Sequence, residues 1–168
     1  DSIFNEVNRK WSFGVKDIKL PIREKRRYFV SLLGKGIDLL PGIKQLLDYA
    51  SNKLYIGLGS SSSKSNVDKI LDITGIRSYF NAVVTAEDVC SYKPDPETYQ
   101  KVLAGLGLKG SGCVVLEDTG LGMQAGKNSG MTVVGVKTGK YETNFDYADI
   151  VVDNVEKGFY DIIRIIEE

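Results

Sequence analysis

The chain has no histidine at all, only two cysteines and no excess of charge, with 22 basic side chains against 22 acidic ones in 168 residues. Without imidazole there is no Ser-His-Asp triad, no Cys-His nucleophile pair, no histidine-ligated zinc and no imidazole general base. Without a basic field, nothing favours nucleic acid or an anionic membrane surface, so neither is expected as a partner. No stretch approaches the roughly 18 consecutive apolar residues of a membrane-spanning helix. The opening DSIFNEVNRKW has neither a basic nor an apolar leader region. Cys90 and Cys113 lie in apolar contexts and are too few for a disulfide framework, so both read as reduced thiols in or near the core. A cytoplasmic protein is the expectation, and its catalysis must run on carboxylates, lysines, hydroxyls and backbone amides.

What is present has a clear rhythm. A chain of this length with 42% hydrophobic residues buries a core as one domain with a small appendage. From residue 41 onward, short β-rich runs alternate with helical periodicity, the pattern that builds a parallel sheet through crossover helices. The expected strands are Leu54 to Leu58, Ala82 to Thr85, Cys113 to Leu116, Thr132 to Val136 and Asp149 to Val152. Helices are expected over IKQLLDYASN with Pro41 at its start, over KSNVDKILDIT stopping at Gly75, and over the segment opened by Asp95 as N-cap and Pro96. A last helix is expected from about Val155 to Glu168, with Phe159, Ile162, Ile163 and Ile166 as its packing stripe. Residues 1 to 40 differ: they carry Trp11, Phe13, the basic cluster IREKRR and a helix from about Pro21 to Leu33, but no convincing strand. That cluster reads either as a solvated helix face or as a grip on an anion.

In an open parallel sheet ligands bind at the carboxyl ends of the strands, and three of the loops there are unusual. In IGLGSSSSK, glycine, serine hydroxyls and a helix N-terminus make an anion pocket, or else a plain N-cap and turn. The same Gly57 and Gly59, with Glu87 further on, are two thirds of a dinucleotide-binding pattern whose third glycine is replaced by Ser62. In Ser91-Tyr92-Lys93-Pro94-Asp95-Pro96 the prolines restrict the backbone beside Lys93, which suits a cation that meets a phosphate or carboxylate at a fixed place. In Cys113 to Gly122, two adjacent carboxylates, Glu117 and Asp118, follow directly on an apolar strand. Like charges side by side call for a cation such as Mg²⁺, unless Asp118 or Thr119 is simply a helix cap.

Taken in order, GLGSSSSK, SYKPDPETYQKVLAGLG and CVVLEDTGLGMQAGKNSGM resemble motifs two, three and four of the haloacid-dehalogenase-like phosphatases, over roughly residues 38 to 153. Within that superfamily the likeness is to the β-phosphoglucomutase and sugar-phosphatase group. The resemblance implies an α/β fold: a Rossmann-like three-layer α/β/α core with a parallel sheet over residues 41–168, and a small or incomplete helical cap and linker over residues 1–40. It implies that Ser60 and Lys93 are catalytic, that Ser60, Ser61 and Lys93 bind phosphate, and that Glu117 and Asp118 hold Mg²⁺. The family's first motif, an aspartate pair spaced by one residue, does not occur in residues 1–40. Asp1-Ser2 resembles the end of that motif, which places the expected nucleophile upstream of Asp1. Losing the strand that carries it would leave two half-sheets with unpaired edges.

The implied activity is a Mg²⁺-dependent phosphatase acting as a monomer on a small phosphorylated metabolite, a sugar phosphate, through an aspartyl-phosphate. A β-phosphoglucomutase-like phosphomutase is the alternative. Two readings of other classes remain beside these: a non-catalytic module that keeps the anion and metal sites, and a nucleotide-binding oxidoreductase using Gly57 and Gly59.

Overall fold

The computed structural model describes residues 36–139 and 143–168. The chain divides into two compact units, Asp1–Ile37 and Asp38–Glu168. Most of the expected cap, residues 1–35, lies outside the described residues, and with it Trp11, Phe13, the basic cluster, the helix from Pro21 to Leu33 and the Asp1-Ser2 pair.

The second unit runs α1 (Ile43–Ser51), β1 (Gly57–Gly59), α2 (Lys64–Thr74), β2 (Ala82–Val84), α3 (Glu97–Leu106), β3 (Val114–Glu117), α4 (Gly120–Asn128), β4 (Thr132–Val136), β5 (Ile150–Val152) and α5 (Phe159–Glu167). All pairings are parallel: β1 with β2 in register Leu58 to Val83, β3 with β4 in register Leu116 to Val134, and β4 with β5 in register Gly135 to Val151. The expected single sheet is therefore two, of two and three strands, because among the described residues no strand pairs with the outer edges of β1 and β3.

Strand side chains alternate between faces, and the alternation sorts the helices into layers. Leu58 and Val83 pack with Val67 and Leu71 of α2, while Leu116, Val134 and Val152 pack with Phe159 and Ile162 of α5. α1 serves both sheets on this face, Leu46 joining the second cluster and Leu47 the first. On the opposite face Val115 and Val133 pack with Tyr99 and Leu103 of α3 and Met123 of α4. Val102 of α3 lies over Gly57 of β1, so α3 also spans both sheets. The result is a Rossmann-like α/β/α sandwich whose two sheets are held side by side by one helix on each face. Met123, Val133, Val134 and Ile162 expose nothing, each contributing about 1.5–3 kcal/mol by burial.

Several boundaries shift for local reasons. β1 starts at Gly57 rather than Leu54 because Asn81 pairs with Ile56 in both directions, its side chain accepting the Ile56 N–H at 2.8 Å. Pro41 lies in a turn ahead of α1, since Gly42 adopts φ 85° and a Cβ there would sit 2.4 Å from the Glu156 nitrogen. α5 begins at Phe159, not Val155, because Asn154 folds residues 154–158 into turns, its side chain accepting the Lys157 N–H at 2.8 Å. The third helix starts near where it was expected, with the Asp95 carboxylate accepting the Glu97 N–H at 2.9 Å. Neither cysteine is in a disulfide; Cys90 is exposed rather than in the core, and Cys113 is half-buried.

Candidate active site

β1 and β3 bring Gly59 and Glu117 to the same rim, and the loop between β2 and α3 carries Lys93 to a point between them. The Lys93 ammonium donates to the Gly59 carbonyl at 3.2 Å, to the Tyr99 hydroxyl at 2.8 Å and to Glu117 Oε1. Both charged side chains are only 10% exposed. An ion pair this deep holds because each member is also hydrogen-bonded. Glu117 Oε1 accepts a second hydrogen bond from the Tyr99 hydroxyl, and Oε2 accepts one from the Thr119 hydroxyl at 3.2 Å. Burial first, and the Glu117 carboxylate next, hold the Tyr99 phenol well above its ordinary value, so it stays a donor.

The loop that presents Lys93 is pinned from behind. Glu97 Oε2 accepts the Cys90 and Ser91 N–H groups at 2.9 and 2.6 Å, and its Oε1 pairs with Lys101 at 2.7 Å. Lys101, then those two amides, hold the Glu97 carboxyl down at about 2. From the other side Asn128, at the end of α4, donates to the Pro94 carbonyl at 3.1 Å.

The glycines here answer to packing. A Cβ on Gly57 would fall 2.3 Å from Val102 and one on Gly59 3.2 Å from the Tyr99 ring, so the GLG of β1 lets α3 close on the strand. A Cβ on Gly122 would fall 2.1 Å from the Glu117 carboxyl carbon, so α4 makes room for that carboxylate. Thr119, not Asp118, is the cap of α4, its hydroxyl accepting the Gly122 N–H at 3.1 Å.

The remaining candidates stand on the open side. Ser60 is half-buried and accepts the Ser62 N–H at 3.1 Å, which leaves its own hydroxyl hydrogen available; Ser61 is exposed. Asp118 is half-buried, with Thr138 at 3.5 Å from its carboxylate and Thr143 bonded to its carbonyl at 3.0 Å. Past Thr138 lies a cavity of about 410 Å³ lined by Val136, Lys137, Asp153, Asn154 and Lys157. Glu87, the acid of the dinucleotide reading, instead accepts the Lys64 N–H at 2.7 Å and caps α2.

Ser60, Lys93, Glu117 and Asp118 thus share one rim of the two sheets, while Ser61 faces solvent beside them. Reading the residues one by one missed Tyr99 and Glu97, although the spacing of both from Lys93 within one helical start was visible. An ammonium fixed between two strand ends, beside a serine loop and an open carboxylate, can hold an oxyanion together with a hard cation. Among the described residues no helix is long and apolar enough to cross a membrane.

A family model described as haloacid dehalogenase-like hydrolase matches residues 2–136. The chain is 33% identical over 116 residues to the fructose-1-phosphate phosphatase of Escherichia coli, which covers 68% of this chain and 61% of that one. It is 36% identical over 121 residues to the β-phosphoglucomutase of Bacillus subtilis, covering 71% of this chain and 53% of that one. The chain thus spans between half and two thirds of the length of these two relatives. Among solved structures, the β-phosphoglucomutase of Clostridium difficile superposes with a TM-score of 0.77 and 32% identity, over 96% of this chain and 75% of that one.

Proposed function

The chain belongs to the haloacid dehalogenase-like hydrolase family, and on that premise we propose that it serves phosphoryl transfer, as a Mg²⁺-dependent phosphatase of a small phosphorylated metabolite, a sugar phosphate. The observation that carries the reading is the Lys93 ammonium, held between Gly59 and Glu117 at the start of the serine loop. A phosphoryl group at that loop meets the ammonium, the Ser60 hydroxyl and the Ser61 amide. Each stabilises negative oxygen, and charge-assisted hydrogen bonds of this kind are the strong ones. The likeness to a fructose-1-phosphate phosphatase supports a sugar phosphate as the substrate class.

The donors fit Mg²⁺ in kind, since Glu117 and Asp118 offer hard carboxylate oxygens. Among the described residues no group of three or more His, Cys, Asp or Glu gathers, so water and substrate oxygens would complete the ion's shell. Asp118, whose carboxylate is the less engaged of the two among the described residues, is the leading ligand. When bound, the ion neutralises charge on the transferring phosphoryl group.

In the proposed reaction an aspartate carboxylate attacks phosphorus, the ester oxygen leaves with a proton, and water then cleaves the aspartyl-phosphate. None of Ser60, Lys93, Glu117 and Asp118 is the attacking group; they bind and orient. Likeness to β-phosphoglucomutases favours a second reading in which a sugar hydroxyl takes the place of that water.

A panel of sugar phosphates with Mg²⁺, read for released phosphate and for isomerised sugar phosphate, separates the two. Inorganic phosphate bound without turnover by a chain that includes the attacking aspartate would favour the binding-module reading. A chain that neither binds phosphate nor hydrolyses p-nitrophenyl phosphate would sink the proposal.

A further inference from the structure

We propose that the Tyr99 hydroxyl is a positioning group, which aims the Lys93 ammonium at the serine loop and thereby sets the site's affinity for phosphate. Its phosphate half rests on the reading above; its lysine half does not.

The ammonium has three N–H donors and three acceptors: the Gly59 carbonyl, the Tyr99 hydroxyl and Glu117. The bond to Gly59 is the longest of those to neutral groups, 3.2 Å against 2.8 Å to Tyr99, and Gly59 immediately precedes Ser60. An oxyanion arriving at the serine loop therefore takes over that N–H most readily. Tyr99 and Glu117 then remain as the two anchors that fix the lysine's direction. The hydroxyl meets the ammonium at the ring's edge, with Nζ 4.5 Å from the ring centroid.

Packing does not account for the hydroxyl. Tyr99 is 5% exposed and its ring sits in an apolar cluster with Leu103, Val115, Met123 and Val133, a place that phenylalanine would fill. A buried hydroxyl there costs stability unless it is bonded. Its two bonds are to Lys93 and Glu117, so the oxygen's contacts are with the site's charges.

The test uses the full chain with inorganic phosphate and Mg²⁺. Tyr99→Phe should weaken phosphate binding roughly tenfold, the worth of one hydrogen bond to a charged group. It should also shift the ¹⁵N and ¹H resonances of the Lys93 ammonium, and lower the unfolding midpoint by clearly less than Tyr99→Leu does, because the ring stays packed while Lys93 and Glu117 each lose one bond. Tyr99→Leu, which removes ring and hydroxyl together, should lower that midpoint markedly. An unchanged affinity or an unchanged Lys93 resonance in Tyr99→Phe would overturn the proposal. So would a midpoint falling as far as in the leucine variant, since the role would then be packing. If the parent chain binds no phosphate, the functional reading fails, and the Lys93 resonance alone decides whether Tyr99 positions the lysine.

Discussion

The two halves of the candidate site are built on opposite terms. On the Lys93 side, ammonium, carboxylate and phenol are buried and bonded to one another, and the loop behind them is pinned by Glu97 and Asn128. On the Asp118 side the carboxylate's one contact among the described residues is Thr138 at 3.5 Å, Ser61 is exposed, and a cavity opens past Thr138. The first half keeps a charge in place at a desolvation cost that only mutual pairing offsets. The second keeps oxygens uncommitted, which stabilises little but leaves them for a ligand. Stability and binding should therefore separate by residue within one site.

Lys93→Met should show the largest effect. It leaves Glu117 buried with only hydroxyl donors, and removal of one member of a buried pair costs about 3–5 kcal/mol. Urea unfolding measures this, and phosphate binding should vanish alongside. A loss below about 1 kcal/mol, the level of an exposed ion pair, would show that the Lys93 half is not clamped.

A smaller effect is expected behind the loop, and pH exposes it. Glu97 is held at about 2 by Lys101 and by the Ser91 and Cys90 amides, against an ordinary value of 4.5. Its folded value lies below its unfolded one, so its contribution to stability is complete above pH 4.5 and disappears as pH falls toward 2. Glu97→Gln should flatten the stability profile within that window and lower stability by a constant amount above pH 6, where the carboxylate's contribution is complete. Equal acid slopes in the two proteins would show that Glu97 does not hold the loop.

The sequence showed the halves unequally, for physical reasons. β4 was legible to the residue because Thr132 to Val136 is an apolar run buried along nearly its whole length. β1 was not, because Asn81 pairs with Ile56 ahead of it and its glycines respond to α3 lying against it, contacts that no local pattern carries. Lys93, Glu117 and Asp118 stood out by type and place at strand ends. Tyr99 did not, since an aromatic at helical spacing reads as core; it is core by its ring and site by its oxygen. α4 was legible only as the helix that a cap at Asp118 or Thr119 would open, because GLGMQAGKN is rich in a poor helix former, and only the structure shows Gly122 clearing space for Glu117. That residues 1–40 form a partial cap lies almost wholly outside the described residues.

Asp118→Asn tests the other half and should have the smallest effect on stability. The substitution preserves size, the caps of α4 and the Thr143 bond to the Asp118 carbonyl do not involve the side chain, and the Thr138 contact is at the limit of a hydrogen bond. Unfolding free energy should stay within about 0.5 kcal/mol of the parent's. Mg²⁺ should nevertheless bind more weakly, because an amide oxygen carries no charge with which to hold a hard dication. Isothermal titration with Mg²⁺ reads this directly, without turnover. A stable variant with impaired Mg²⁺ binding, set beside an unstable Lys93→Met, would establish that the open carboxylate serves the ligand and the closed pair serves the geometry. A variant that binds Mg²⁺ as the parent does would move the metal away from Asp118. The open half would then be left as a phosphate rim whose charge is met from elsewhere.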